Sequence, residues 1–205
     1  MKEASLAGPI EFYFDFSSPY GYLAAHRIDA LGAEFGREVL WRPILLGAVF
    51  KATGQSPLVS QPLRGPYHLH DLQRTARRLK LPFQLPSDFP MATIAAARAF
   101  YWVDGQSPDA AKRLALALFD APFARGINTS ATDTVAAIAE GAGFDPDQIR
   151  AGIGPPAIKE RLKAETDRAI ERGIFGSPFF IVDNEAFWGN DRIPDLRDWL
   201  KSGGW

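Results

Sequence analysis

The sequence contains no cysteine among its 205 residues, and this absence excludes several kinds of chemistry. The protein has no thiol for disulfide exchange or thiolate coordination of a metal, and no disulfide stabilises its fold. Charge of one sign is not in excess either, because the formal net charge is −1. Such a balance gives no overall attraction for nucleic acid or for an anionic membrane surface, so we expect neither as a partner.

Long apolar runs are also missing. No run approaches the about 18 residues of a transmembrane helix, and residues 1–9 lack the apolar core of a signal peptide. We therefore expect a cytoplasmic protein with no membrane association. The composition, 46% hydrophobic and 23% charged, is that of a globular protein, and the length allows one sizeable core or a core with an inserted subdomain.

The order of apolar and helical patterns predicts an α/β fold. A strand from Ile10, a helix at 20–35 and a strand at 39–44 form a β-α-β unit, which implies a parallel pair. Residues 45–66 are rich in Gly, Pro, Ser and Gln and predict a long loop with one short helical turn. Helical patterns follow at 67–80, 92–104, 108–119, 132–142 and 146–152.

The last part of the chain returns to strands. A helix at 156–172 precedes strands at 179–182 and 186–188, and a helix at 193–201 follows them. Joining the two ends gives a thioredoxin-like sheet, β-α-β … α-β-β-α, with helices inserted. We expect residues 9–44 and 157–205 to form the thioredoxin-like domain and residues 45–156 to form an inserted helical domain.

The junction between the first strand and the first helix is the strongest functional signal. Ser18 stands where an N-cap is expected, and Pro19 suits the first helical position. Thioredoxin-like redox proteins place a reactive cysteine at such a junction, because the helix N-terminus stabilises its thiolate. We interpret Ser18 as a hydrogen-bond donor to the sulfur of a ligand; the alternative is a cap that only satisfies a backbone N–H.

Two further motifs precede the third strand and the last helix. The Gly176-Ser177-Pro178 segment is either a simple turn or, in a thioredoxin-like sheet, a cis bond that presents the backbone of Ser177 to an extended peptide. Asn190 and Asp191 are either caps or a carboxylate-binding helix start with an acidic partner for an ammonium group. An amino-acid-like end of a ligand needs both of those functions.

These motifs together resemble a known family. The Phe-Asp-Phe-Ser-Ser-Pro-Tyr opening that ends at Tyr20, the Gly-Ser-Pro turn and the Trp-Gly-Asn-Asp-Arg motif at 188–192 are similar to those of 2-hydroxychromene-2-carboxylate isomerases. That family is related to kappa-class glutathione transferases within the DsbA-like thioredoxin superfamily. The resemblance covers almost the whole chain. It implies isomerisation of aromatic keto acids in aromatic-compound catabolism, with glutathione as cofactor, through a reversible glutathione thiolate adduct.

The resemblance also implies roles for single residues. Ser18 would activate the glutathione sulfur, and Ser177, before a cis Pro178, would bind the cysteinyl backbone. Asn190 and Asp191 would hold the γ-glutamyl end.

Further roles follow from the segment that begins at Arg42, which resembles the family segment that lines the substrate pocket. Gln55 stands there where the family often has Asn, and its longer amide can still hydrogen-bond to glutathione. Lys51 or Arg42 would pair with the substrate carboxylate. Arg64 would bind the glycine carboxylate of glutathione.

Two other functions remain open from the sequence. A kappa-like glutathione transferase or peroxidase acting on other electrophiles needs the same thiolate, and a non-catalytic module could hold peptides at the cis-proline edge. The oligomeric state is open too, a homodimer included. We expect no metal site, because His68 and His70 are two positions apart in a predicted helix and face different directions.

Overall fold

The computed structural model describes residues 8–205, in which four strands form one mixed sheet. The strands are β1 (Ile10–Phe14), β2 (Val39–Pro43), β3 (Phe179–Val182) and β4 (Glu185–Trp188). Their order is β2-β1-β3-β4; β1 is parallel to β2 and antiparallel to β3, and β3 is antiparallel to β4. This topology confirms the predicted thioredoxin-like fold. The expectation of no signal peptide falls mainly on residues 1–7, outside the described residues.

Helices account for most of the remaining chain. In chain order they are α1 (Pro19–Glu34), α2 (Leu46–Thr53), α3 (Arg64–Leu79), α4 (Ile94–Asp104), α5 (Pro108–Arg125), α6 (Thr132–Gly141), α7 (Pro146–Ile153), α8 (Pro156–Glu171) and α9 (Ile193–Ser202). Two short 3₁₀ turns lie at Leu58–Ser60 and Asn190–Arg192. None of the helices within residues 8–205 has the length and apolar character needed to cross a bilayer.

The long loop predicted at 45–66 is wrong over its first part, where α2 forms. The Gly and Pro content of the segment favours a loop, although the segment also contains a short apolar stripe of helical spacing. Leu46 and Val49 are buried in a cluster with Tyr13 and Phe179, which are distant in sequence. That tertiary burial stabilises an eight-residue helix that would be marginal in isolation.

Helix α5 also differs from its prediction, because it continues past Phe119 to Arg125 and contains Pro122. A proline inside a helix removes one backbone hydrogen bond. The extra turn brings Phe123 into the core, where its ring stacks 6.4 Å from that of Phe83. Burial of this aromatic ring offsets the lost bond.

One apolar core connects the sheet with the helices of residues 45–156. Phe14 of β1 lies 5.4 Å, between ring centroids, from Phe119 of α5, and both rings are fully buried. All four strands lie outside 45–156, and helices of this segment pack on the sheet through a shared core.

Candidate active site

Ser18 is the N-cap of α1, as predicted, and its side chain makes two hydrogen bonds. Its Oγ accepts from the Gly21 amide at 3.0 Å and donates to the Ser177 carbonyl oxygen at 2.8 Å. A Cβ at Gly21 would lie 3.1 Å from Ser177 Oγ and from Ser18 Cβ, so the missing side chain permits this close approach. The hydroxyl of Ser18 is therefore directed at the backbone in front of Pro178.

The Ser177–Pro178 peptide bond is cis, which confirms the prediction, and it lies directly before β3. Ser177 also contacts the end of β1, because its Oγ accepts from the Asp15 amide at 3.0 Å. One hydrogen bond thus joins the cis turn to the start of α1, and a second joins it to the end of β1. A second cis bond, Phe89–Pro90, was not predicted from the sequence.

Asp15 is a buried carboxylate next to the Ser18 turn, and it is 2% exposed. Its Oδ1 accepts from the Ser17 amide and from Thr93 Oγ1, each at 2.8 Å, and its Oδ2 accepts from the Leu46 amide at 2.6 Å. Burial raises the pKa of Asp15, and these hydrogen bonds oppose the shift. Asp15 was not predicted as a site residue, although an acidic residue within the apolar run 10–16 is a signal of a buried polar site.

Ser18 lines a cleft of about 250 Å³ whose other lining residues are partly polar and partly apolar. The apolar ones, which we call its apolar walls, include Phe50, Leu58, Val59, Phe89, Phe175 and Trp188. Among the residues from 8 to 205, Arg64 is the arginine that lines the cleft, and no lysine lines it. A wider groove of about 420 Å³ elsewhere is lined by other residues and does not include Ser18. The smaller cleft suits an aromatic molecule that carries a negative charge.

The cleft brings together several of the residues predicted for the site. Ser18, Ser177, Gln55 and Arg64 all line it, and Pro178 follows directly in the chain. Lys51 is exposed on α2, beside the lining residue Phe50, and is not itself a lining residue.

Arg42 lies outside the cleft, contrary to the expectation that it could meet the substrate there. Its Nε forms an ion pair with Glu11 at 2.8 Å, and its NH1 lies 3.6 Å from Glu165. Side chains alternate along a strand, and Trp41 takes the core face of β2. Arg42 therefore projects from the opposite face, where those carboxylates neutralise it.

Asn190 and Asp191 form the 3₁₀ turn before α9, which packs against α1. Asn190 is buried, and its Oδ1 accepts from Arg27 NH1 at 3.1 Å. The side chain of Asp191 is 75% exposed. Neither residue lines the cleft. Burial raises the pKa of the cleft residue Tyr20, Asp71 raises it further, and Tyr67 and Asp191 add smaller effects.

A hydrogen-bond chain that was not predicted from the sequence includes two residues that line the cleft. The Tyr20 hydroxyl donates to Asp71 Oδ2 at 2.7 Å, and His68 Nδ1 lies 3.3 Å from the same hydroxyl oxygen. Arg74 NH2 forms an ion pair with Asp71 Oδ1 at 2.7 Å. Both Tyr20 and His68 line the cleft. The network joins α1 to α3, because His68 and Asp71 lie 48 and 51 positions after Tyr20 in the chain. Local sequence patterns do not reveal contacts over such separations.

Comparisons with known proteins agree with this fold. A family model described as a DSBA-like thioredoxin domain matches residues 9–201. A 2-hydroxychromene-2-carboxylate isomerase of Pseudomonas putida is 30% identical over 186 residues, which is 90% of each chain. Glutathione S-transferase kappa 1 of Homo sapiens is 26% identical over 203 residues, 93% of this chain and 90% of that protein. A solved 2-hydroxychromene-2-carboxylate isomerase superposes with a TM-score of 0.83 at 28% identity, and the match covers 94% of both chains.

Proposed function

The chain belongs to the DsbA-like thioredoxin family, among the relatives of 2-hydroxychromene-2-carboxylate isomerases, and we propose that it is a glutathione-dependent isomerase of such aromatic keto acids. One observation carries the proposal. Ser18 caps the helix N-terminus at the end of β1, where redox relatives use a thiol, in a chain that has no cysteine. A site built to stabilise a thiolate but lacking a thiol suits a ligand that brings one.

The residues at the Ser18 turn fit the cysteinyl part of glutathione. Lowering a thiol pKa by about two units takes about 2.7 kcal/mol. A hydroxyl bond to the thiolate contributes about 1.5–3 kcal/mol and the α1 dipole up to ~2 kcal/mol, which together are enough. The Ser177 carbonyl, which Ser18 bonds in the structure, would accept a hydrogen bond from the cysteinyl amide.

Charged and amide groups are available for the two ends of the molecule. Arg64 and Gln55 line the cleft and would bind the glycine carboxylate end. Arg27 engages Asn190 Oδ1, which leaves the Asn190 amide nitrogen to donate to the γ-glutamyl carboxylate. The exposed carboxylate of Asp191 would pair with the γ-glutamyl ammonium group.

The apolar walls of the cleft would hold the second molecule, the aromatic substrate. Bound glutathione supplies a thiolate that adds reversibly to a conjugated keto acid, so that a double bond becomes a single bond and can rotate. The chain orients both molecules, which removes the entropic cost of bringing them together. Phe50, Phe175 and Trp188 offer ring contacts, and Lys51 beside Phe50 would attract the substrate carboxylate.

The compartment that suits this reaction is the cytoplasm, where the glutathione pool is kept reduced. The test is an assay of 2-hydroxychromene-2-carboxylate with the purified protein, with and without reduced glutathione. Turnover should depend on glutathione, and the amount of glutathione should stay constant. Absence of glutathione binding in a millimolar calorimetric titration would contradict the proposal.

A kappa-like transferase or peroxidase is the second candidate, favoured by the likeness to glutathione S-transferase kappa 1. It needs the same Ser18 turn and differs in the molecule that occupies the apolar wall. Stoichiometric accumulation of a glutathione conjugate, or oxidation of glutathione, would favour it over isomerisation. Binding of an extended peptide without any effect of glutathione would favour the non-catalytic module.

A further inference from the structure

We propose that His68 is the base that takes the thiol proton when glutathione binds, and that Tyr20 and Asp71 fix its reactive tautomer. The inference rests on the proposed function. It is carried by the hydrogen-bond chain from Asp71 through Tyr20 to His68, and by the place of His68 on the wall of the cleft that contains Ser18.

The direction of each bond in this chain follows from the number of hydrogens available. Asp71 is paired with Arg74 and accepts the single hydrogen of the Tyr20 hydroxyl at 2.7 Å. Tyr20 then has no hydrogen left for His68, so at 3.3 Å its oxygen accepts from His68 Nδ1. The Nδ1 atom carries the hydrogen, and in a neutral imidazole the Nε2 atom is the free acceptor.

The Nε2 atom of His68 is available for this role. It takes part in none of the side-chain hydrogen bonds found across residues 8–205, whereas Nδ1 is held by Tyr20. Tyr20 is two residues after Ser18 in the first turn of α1, and its hydroxyl contacts the imidazole, so one helix start carries both the thiolate-binding turn and the group that holds His68. A nucleophile, a neighbouring base and a third group that orients the base are the parts of an activated-thiol site.

Ser18 cannot be the proton acceptor itself. Its oxygen already accepts from the Gly21 amide, and its hydroxyl acts as a donor. In the proposed step the S–H bond breaks, the sulfur keeps the electron pair, and an Nε2–H bond forms on His68. A thiolate and an imidazolium result, and the net charge of the complex is unchanged. Without His68, the same proton must leave to the solvent.

The charged and titratable groups around His68 come from two helices. Tyr20 faces it from α1, and Tyr67 lies next to it on α3 with ring centroids 5.8 Å apart. Arg64, one turn earlier in α3, also lines the cleft. Asp71, itself paired with Arg74, reaches His68 only through the Tyr20 hydroxyl.

Proton release separates a base in the protein from a thiolate stabilised without one. Calorimetric titration with glutathione at about pH 7.5, below the ordinary thiol pKa of ~8.5, is run in two buffers of different ionisation enthalpy. The difference gives the protons released per glutathione bound. Thiolate absorbance in the ultraviolet, measured on the same complex, gives the thiolate formed. The quantity compared between proteins is the number of protons released divided by the number of thiolates formed.

His68→Asn is the informative variant, because an asparagine amide can still donate to Tyr20 but has no counterpart of Nε2. His70→Asn is the matched control, since His70 is exposed on the same helix and does not line the cleft. The wild-type protein and His70→Asn should form thiolate with a ratio near zero. In His68→Asn the ratio should rise to about one, because the proton then leaves to the solvent, and glutathione-dependent turnover should fall by the same factor as the amount of thiolate formed.

The outcomes distinguish this inference from the proposed function. A wild-type ratio of one, or identical ratios and turnover in His68→Asn and wild type, would overturn the role of His68 while glutathione-dependent turnover still supported the isomerase. A wild-type protein that does not bind glutathione, or binds it without forming thiolate, would overturn both.

Discussion

The Ser18 hydroxyl donates a hydrogen bond to the Ser177 carbonyl at 2.8 Å and so joins the start of α1 to the turn before β3. The proposal assigns both groups to glutathione, the hydroxyl to its sulfur and the carbonyl to its cysteinyl amide. A ligand that binds to both groups breaks this one internal hydrogen bond and forms two hydrogen bonds with the protein. One neutral bond contributes only about 0.5–1.5 kcal/mol net, so a charge-assisted bond to a thiolate outweighs its loss.

Ser18→Ala should raise the thiol pKa of bound glutathione and lower turnover near neutral pH roughly ten- to hundred-fold, since each pKa unit is about 1.4 kcal/mol. The helix dipole of α1 remains, so some thiolate stabilisation is retained. Glutathione affinity should change less, because Ser177 and the Asn190–Asp191 turn are intact. Titration of the thiolate absorbance of bound glutathione in both proteins measures the shift.

Ser107→Ala is the control for the lost cap. Ser107 caps α5 through a bond from the Ala110 amide at 3.3 Å and does not line the cleft. It should lose about 1 kcal/mol of stability, as Ser18→Ala does, without any change in the thiol pKa. Equal thiol pKa values in Ser18→Ala and wild type would make Ser18 a cap only, with the helix N-terminus as sole activator.

Asp191→Ala should weaken glutathione binding roughly tenfold, because the γ-glutamyl ammonium group loses its counter-charge. The carboxylate is 75% exposed, so solvent screening keeps the effect at the lower end and the fold should be unaffected. Calorimetry with cysteinylglycine, which lacks the γ-glutamyl residue, should show no loss. Asp195→Ala, which removes an exposed carboxylate of α9 paired with Arg192, should bind glutathione normally. An equal loss for both ligands would place Asp191 outside the binding site.

Arg64→Gln should weaken glutathione binding about three- to tenfold, whereas Arg42→Gln should leave it unchanged. Arg64 lines the cleft, and within residues 8–205 its guanidinium has one long contact, 3.5 Å to Gln61, so it is available to a carboxylate. Arg42 is committed to Glu11 and Glu165, and its loss should lower the free energy of unfolding instead. Calorimetry and urea unfolding of both variants measure the two effects. Weaker glutathione binding by Arg42→Gln would contradict the placement that the structure gives it.

The sequence predicted those parts of the site whose geometry is local. Ser18 and Pro19 are adjacent, and their cap geometry follows from residue type alone. The cis bond at Pro178 was predicted from the fold, because local sequence disfavours it. Arg42 shows the limit, since alternation along a strand separates two faces but does not say which one meets the cleft.

Contacts between distant segments could not be read from patterns. The burial of α2 depends on Tyr13 and Phe179, and the orientation of His68 depends on Tyr20, 48 positions earlier. Asp15 is the clearest case, because its carboxylate joins the Ser18 turn to Leu46 and Thr93. A single acidic residue in an apolar run shows that something must satisfy it, but not which segments do so.

Asp15→Asn should change the pH dependence of stability. Burial raises the pKa of Asp15 above its ordinary value of 3.8, so the folded protein binds this proton more tightly than the unfolded chain does. The stability that this proton contributes is fully present below the unfolded pKa and is lost as the pH rises through the raised folded pKa. The free energy of unfolding of the wild type, minus that of Asp15→Asn, should therefore fall from acid to neutral pH.

Urea unfolding of both proteins across that pH range measures this difference. The amide also presents N–H groups where the Ser17, Thr93 and Leu46 donors converge, so at least one of their bonds is lost. That loss adds a pH-independent cost of about 1–3 kcal/mol to the variant. A difference that stays flat or grows as the pH rises would contradict the prediction. It would mean that three donors aimed at the carboxylate outweigh the cost of burying its charge.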